Sequence, residues 1–187
     1  MIKSLVVKVL LKFRKIKYLF YSNNSTVNGV FISHQPIVLR GKGKISVGEN
    51  VNIGVINAPL FYSSYGYLEA RNENSTLIFG NNIHINNNFS VVSEKSIIIK
   101  DNVLIGFNCN IIDSNFHNLE IDKRFETDSE PSEVIIENNV FIGNNVTILK
   151  GVTIGENSIV ANGSMVTKSC LDNVIIAGVP AKELKKL

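Results

Sequence analysis

Residues 134–169 read VIIENNVFIGNNVTILKGVTIGENSIVANGSMVTKS. Taken in sixes from Ile136, a β-branched residue returns at Ile136, Ile142, Ile148, Ile154, Val160 and Val166. Four places after the first five stand Val140, Val146, Val152, Ser158 and Ser164. A helix would return its apolar residues at three and four, and a plain alternating strand would not be broken every six residues by Asn, Gly or Lys pairs. Self-similarity at a hexapeptide period is the signature of a parallel β-helix.

The period extends upstream. It runs through Phe79, Ile85 and Val91, slips by two residues, and continues at Ile99, Ile105 and Ile111, with Val103 and Cys109 in inward slots. Three hexapeptides close one triangular coil, so Phe79–Ser96, Ile99–Phe116 and Ile136–Thr153 are expected to be successive coils. That register stacks Ile154 on Ile136 and Val166 on Ile148 at about 4.8 Å. Irregular first coils start near Val38, around Ile45, Val47, Val51 and Ile53. Two stretches break the period. Asn57–Thr76 reads as a protruding loop or hairpin, whose Phe61, Tyr62, Tyr65 and Tyr67 either stack on a sugar or pack the loop onto protein. His117–Glu133 reads as a second loop. After Val166 the repeat fails, a final strand runs through VIIAGVPA, and Lys182–Leu187 is expected to close as a short basic helix.

At 187 residues the chain suits one domain with a sizeable core. Its 25 asparagines fall often in pairs, as tight corners with left-handed backbone would favour, although source bias would look similar. Two cysteines make no disulfide framework, and Cys109 reads as a small buried thiol of a reducing compartment. Nine of the 19 basic residues precede Glu49, the first of the 16 acids, so the rest of the chain is net acidic and nucleic-acid binding is not expected.

Those early charges belong to residues 2–21, IKSLVVKVLLKFRKIKYLFY, which read as a helix. Ile2, Leu5, Val6, Val9, Phe13, Ile16 and Phe20 form an apolar stripe, with Lys3, Lys8, Lys12, Arg14, Lys15 and Lys17 outside it. The charges exclude a spanning helix and interrupt any signal-peptide core. Two readings stand: a helix packed on its own domain or another subunit, and a peripheral anchor to an anionic membrane surface. Ser22–Gly29 reads as a linker. The expected organisation is therefore 1–28 helix and linker, 29–180 β-helix, and 181–187 C-terminal helix.

IIDSNFH, the hexapeptide stretch with its FIGNN and NGSMVTK, and IIAGVPAK follow one another in this order. Together, over about 110 residues from Phe79 to Lys182, they resemble the left-handed β-helix acyltransferases, the hexapeptide-repeat family that includes maltose, galactoside, serine and polysaccharide acetyltransferases. The resemblance implies an all-β, left-handed fold, a homotrimer with active sites between subunits, and direct attack of an acceptor hydroxyl on acetyl-CoA without an acyl-enzyme. His117 matches the general base, since an imidazole is suited to take a proton from an alcohol near neutral pH. Asp113 either orients that ring or caps a turn.

For acetyl-CoA, the resemblance points to Asn144 near the oxyanion, to Asn162, Gly163 and Ser164 along the pantetheine, to Thr167 and Lys168 at the pyrophosphate, and to Lys182 at the 3′-phosphate. Asn86 matches an acceptor-sugar contact, and Ser93, with Glu94 beside it, stands where sugar acetyltransferases carry an acid. Phe141 stands where relatives often carry tryptophan. No metal site is expected, because His34 and His84 lie in coils apart from His117. A nucleotidyltransferase would need a nucleotide-binding domain ahead of the repeat. The expectation is a cytoplasmic O-acetyltransferase of a bacterial surface polysaccharide or its precursor, working near the membrane. The alternatives are an antibiotic or amino-sugar N-acetyltransferase and a non-catalytic trimeric scaffold.

Overall fold

The computed structural model describes residues 2–187. The hexapeptides build a triangular parallel β-helix whose three sides are sheets of six, eight and six strands. Most repeat strands are only two to four residues long, because each side of the triangle admits one inward residue before the chain must turn. The first sheet stacks Phe79, Ile99, Ile136 and Ile154. The second stacks Ile53, Ile85, Ile105, Ile142, Val160 and Ile176. The third stacks Leu68, Val91, Ile111, Ile148 and Val166. All are buried, and together they form one aliphatic column along the axis. Every register expected from the period is present, including Ile136 under Ile154 and Ile148 under Val166.

The corners account for much of the asparagine. Ten of the 25 adopt left-handed backbone, among them Asn82, Asn102, Asn139 and Asn157 at one corner and Asn88, Asn108 and Asn145 at the next. Asn tolerates this region better than other residues with a side chain. Its amide also bonds its equivalent one coil on, at 2.7 Å from Asn88 to Asn108 and 2.8 Å from Asn108 to Asn145. A second set of carboxamides and carboxylates accepts corner N–H groups of the preceding coil, as Asn81 does from Glu49, Asp101 from Asn81 and Asn144 from Phe107. Corners that would leave unpaired backbone donors are thereby satisfied.

Three expectations need correction. Asn57–Thr76 is not one protruding loop: residues 55–64 turn outward, but Gly66–Ala70 is a full strand of the third sheet, paired with Ile37–Gly41 and Ser90–Ser93. The alternation of Gly66, Leu68 and Ala70 inward against Tyr67 and Glu69 outward has period two, which a hexapeptide template passes over. Ser22–Gly29 is not a loose linker, since the amides of Asn23 and Asn24 donate to the Leu39 carbonyl and the first strand starts at Val27. Lys182–Leu187 is not a helix. Ala181–Lys186 folds back as a strand antiparallel to Val174–Gly178. A six-residue helix is too short to hold itself, whereas the hairpin pairs the open edge of the last coil. Ser158 and Ser164, occupying inward slots at this end, bond the backbone of the cap instead of extending the aliphatic column.

The N-terminal helix, α1 (Ile2–Leu19), is present as expected. It lies against the outside of the solenoid through Arg14, which donates to the carbonyls of Phe61 and Ser64, and Lys15, which donates to that of Ser33. The ring of Tyr18 packs on that of Tyr65, with centroids 4.7 Å apart.

Candidate active site

The chain leaves the solenoid after Asn110–Ile112 and rejoins it at Val134–Ile136, and His117 stands at the start of this excursion. The loop is held from below by a polar cluster. Asp128 accepts from the Asn115 amide at 2.8 Å, the Glu130 amide at 3.0 Å and the Lys150 ammonium at 2.7 Å. Burial alone would raise the Asp128 carboxyl, but Lys150 and the two amides outweigh it and lower its pKa to about 2. The Ser114 hydroxyl donates to Glu94 and lies 3.3 Å from the Asp128 carboxylate. Asn118, also buried, ties the loop's two arms by donating its backbone N–H to the Glu126 carbonyl.

His117 itself is exposed, and its Nδ1 lies 2.9 Å from the carbonyl oxygen of Arg124 across the loop. A carbonyl only accepts, so Nδ1 carries the proton and the Nε2 lone pair is left unbonded by this contact. Phe116, just before it, has φ of +61°, a left-handed conformation that is costly for a bulky side chain and concentrates at functional sites.

Asp113 does not orient the ring. Its carboxylate, fully buried, accepts from the Ser93 hydroxyl at 2.7 Å and from the amides of Glu94, Lys95 and Ser96 at 2.7, 2.9 and 2.7 Å. It caps the corner of the preceding coil. Four residues along a chain that turns outward do not bring two side chains together, and the Arg124 carbonyl takes the place expected for the acid. Ser93 is equally buried and faces Asp113 rather than an acceptor. The acid that does reach the loop is Glu94, which receives Ser114, Thr127 at 3.4 Å and Arg71 at 3.5 Å. The sequence signal for it was the single acid directly following the buried strand.

Four surface clefts lie on the solenoid away from the loop, two of them adjoining. One, of about 420 Å³, is lined by Tyr18, Tyr21, Val38, Arg40, Tyr65 and Tyr67, and shares its last two tyrosines with a neighbouring cleft of about 390 Å³ on the third sheet. A third, of about 260 Å³, gathers Asn86, Phe141 and Asn144 with His84 and Leu104. Here the Oδ1 atoms of Asn86 and Asn144 accept backbone N–H groups, so both residues are corner pieces before they are contacts. The fourth, of about 310 Å³, brings Lys168 and Lys182 together with Ile176 and Ala181 between the last coil and the C-terminal hairpin. Asn162, Gly163 and Thr167 are exposed nearby in sequence, and a side chain at Gly163 would meet nothing within 4 Å. Ser164 does not line a channel: it is 1% exposed and bonded to Ala161 and Gly178.

Within one chain these groups are not in one place. His117 follows the third sheet, whereas Asn86 and Asn144 lie where the second sheet turns into the third.

The family described as bacterial transferase hexapeptide (six repeats) matches residues 133–168. The galactoside O-acetyltransferase of Escherichia coli (strain K12) is 37% identical over 143 residues, 76% of this chain and 64% of that protein. An Escherichia coli (strain K12) protein named as a lipopolysaccharide biosynthesis O-acetyl transferase is 31% identical over 159 residues, covering 81% of this chain and 76% of its own length. A galactoside acetyltransferase solved in complex with coenzyme A shares the fold, with a TM-score of 0.56 and 27% identity over 87% of this chain and 65% of that one. This chain thus spans slightly under two thirds of the galactoside enzymes it matches. The likeness identifies the solenoid as the left-handed form. With the repeat, the corner asparagines and these relatives agreeing, the chain belongs to the hexapeptide-repeat acetyltransferase family.

Proposed function

We propose that the protein transfers an acetyl group from acetyl-CoA to a carbohydrate hydroxyl, with His117 as general base. The observation that carries this reading is the His117–Arg124 contact, which orients the ring with Nε2 as the acceptor nitrogen. The acceptor O–H gives its proton to Nε2 as its oxygen attacks the thioester carbonyl. The tetrahedral intermediate then expels the CoA sulfur, which recovers the proton from the imidazolium. Backbone N–H groups at a coil corner beside Asn144 would stabilise the oxyanion.

The donor reading is supported by the cleft that Lys168 and Lys182 both line, two cations for phosphates beside apolar walls, with Glu183 the one acid among its lining. Thr167 at the same end would contact the pyrophosphate, and Asn162 and Gly163 the pantetheine arm. Asn86 and the Phe141 ring suit the acceptor. Because His117 and the Asn86–Phe141 cleft occupy different corners of one chain, a homotrimer that brings one copy's loop against another's second sheet would complete each site. Leu104 and Phe141, 48% and 45% exposed on that sheet, are the apolar surface such packing would cover. The cleft of four tyrosines and Arg40 favours a polymer or oligosaccharide of the bacterial surface over a single ring, since aromatic faces stack on successive sugars. The reaction is placed in the cytoplasm, where acetyl-CoA is made.

The test is thiol release from acetyl-CoA with galactosides, envelope oligosaccharides and amino sugars as acceptors. Wild-type protein should acetylate a hydroxyl, and His117→Ala should lose about 10²–10⁴-fold in turnover while calorimetry shows unchanged acetyl-CoA binding. Turnover retained in His117→Ala would remove the general base. An amide product would turn the reading to N-acetylation, and absence of any binding heat would leave a scaffold.

A further inference from the structure

From Val6 onward, the apolar stripe of α1 does not face the protein. Among the helix residues from Val6 onward, Leu11, Arg14, Lys15 and Tyr18 are the partly covered ones, and they form the side lying on the solenoid. Val9 stands nine residues before Tyr18, and Phe20 nine after Leu11, which at about 3.6 residues per turn is two and a half turns. The stripe is thus directly opposite the docked side. Val6, Val9, Phe13, Ile16 and Phe20 are all exposed, Phe13 to 66% and Phe20 to 83%. The usual arrangement of a surface helix, apolar face to the core and charges to water, is inverted here. Two cations are used to hold the polar side down on backbone carbonyls.

The remaining charges show what the outward face meets. Lys12 and Lys17 border the stripe on its two sides, with Lys8 next to Lys12, and all three are exposed. There is no acid anywhere before Glu49. A second copy of the same stripe would bring these lysines against each other, which disfavours self-pairing. An anionic lipid surface matches both features, taking the apolar side chains below its headgroups and the lysines among its phosphates. No described helix is long and apolar enough to cross a membrane, so the helix would lie in the plane of the surface.

We propose that α1 is a membrane-docking helix, held in fixed orientation by Arg14 and Lys15 so that Val6, Val9, Phe13, Ile16 and Phe20 enter an anionic bilayer. This stands apart from the acetyl-transfer reading and is tested without it. The full chain is sedimented with phosphatidylcholine vesicles with and without phosphatidylglycerol. It should pellet with the anionic vesicles and be released by salt. Phe13→Asp with Phe20→Asp should lower vesicle affinity at least tenfold with the far-ultraviolet spectrum unchanged. Lys12→Ser and Lys17→Ser, which leave the stripe intact, should each lower it about fivefold. A wild-type chain that stays in the supernatant overturns the proposal, as does equal binding by the aspartate variant. A fall in solution mass of that variant, without vesicle binding by wild type, would assign the stripe to a second copy.

Discussion

The guanidinium of Arg71 lies 4.3 Å over the ring of Phe116, the residue that leads into His117. The same group bonds Glu69 at 3.1 Å and Glu94 at 3.5 Å, so one side chain ties the third sheet to the floor and rim of the loop. Phe116 is kept in left-handed backbone at a cost of about 1–2 kcal/mol, and this stacking is part of what holds it. Arg71→Met keeps bulk but removes the charge. It should lower kcat for acetyl transfer about tenfold, as expected for a loss of order 1.4 kcal/mol in positioning. The KM for acetyl-CoA should not move. Steady-state kinetics decide it, and an unchanged kcat would mean that the loop is positioned without Arg71.

Asp113 gives the opposite pattern. Its buried carboxylate accepts four hydrogen bonds, all to the corner at Ser93–Ser96. Asp113→Asn replaces one acceptor with a donor facing N–H groups, leaving buried partners unmatched. Stability should fall about 2–4 kcal/mol, read from urea unfolding. In protein that remains folded, the pH dependence of turnover should be that of wild type. A displaced pH profile would restore an electrostatic role towards His117.

Asp128 makes the loop's order depend on acid in a defined sense. Its carboxyl is lowered to about 2 in the folded protein, from an ordinary value of 3.8. The unfolded loop therefore binds the proton more readily, so the stabilisation is fully present above that ordinary value and is lost as pH falls through about 2. Carboxyl carbon NMR should find the Asp128 midpoint near the bottom of the carboxylate range. Lys150→Met removes the strongest opposing group and should move the midpoint upward, with loop amides exchanging faster at mildly acid pH. A midpoint unaffected by the substitution would show that the two amides suffice.

Much of the fold was legible because period and burial are the same fact here. A residue every six places is the inward residue of each triangle side, so Ile136, Ile142 and Ile148 announced both the coil and its register. The reading weakened where the period stops. Gly66–Ala70 alternates by twos and was hidden beside Asn57–Pro59. The C-terminal lysines suit a helix locally, but the open edge at Val174–Gly178 offers a strand partner that no local propensity reveals. That Lys168 and Lys182 line one cleft was legible, because both follow the repeat at its end. The partner of His117 was not, because the acceptor is a main-chain carbonyl of Arg124, to which side-chain identity contributes nothing. The direction of the α1 stripe was equally out of reach, since periodicity gives an apolar face but not what it faces.

The corner asparagines allow backbone and side-chain contributions to be separated at one position. Asn108 has φ of +58°, donates its amide to Asn145 at 2.8 Å and accepts that of Asn88 at 2.7 Å. Asn108→Gly removes both ladder bonds but adopts the backbone without strain, and these bonds are exposed, so the cost should be about 0.5–1 kcal/mol. Asn108→Ala removes the same bonds and must also place a Cβ in the left-handed region, adding about 1–2 kcal/mol. Asn108→Val, branched at Cβ, should be worse again. Urea midpoints for the three variants should therefore fall in the order Gly, Ala, Val. If Gly and Ala are equally destabilised, the stacked amides outweigh the backbone, and the asparagines are selected as a ladder rather than as turn residues.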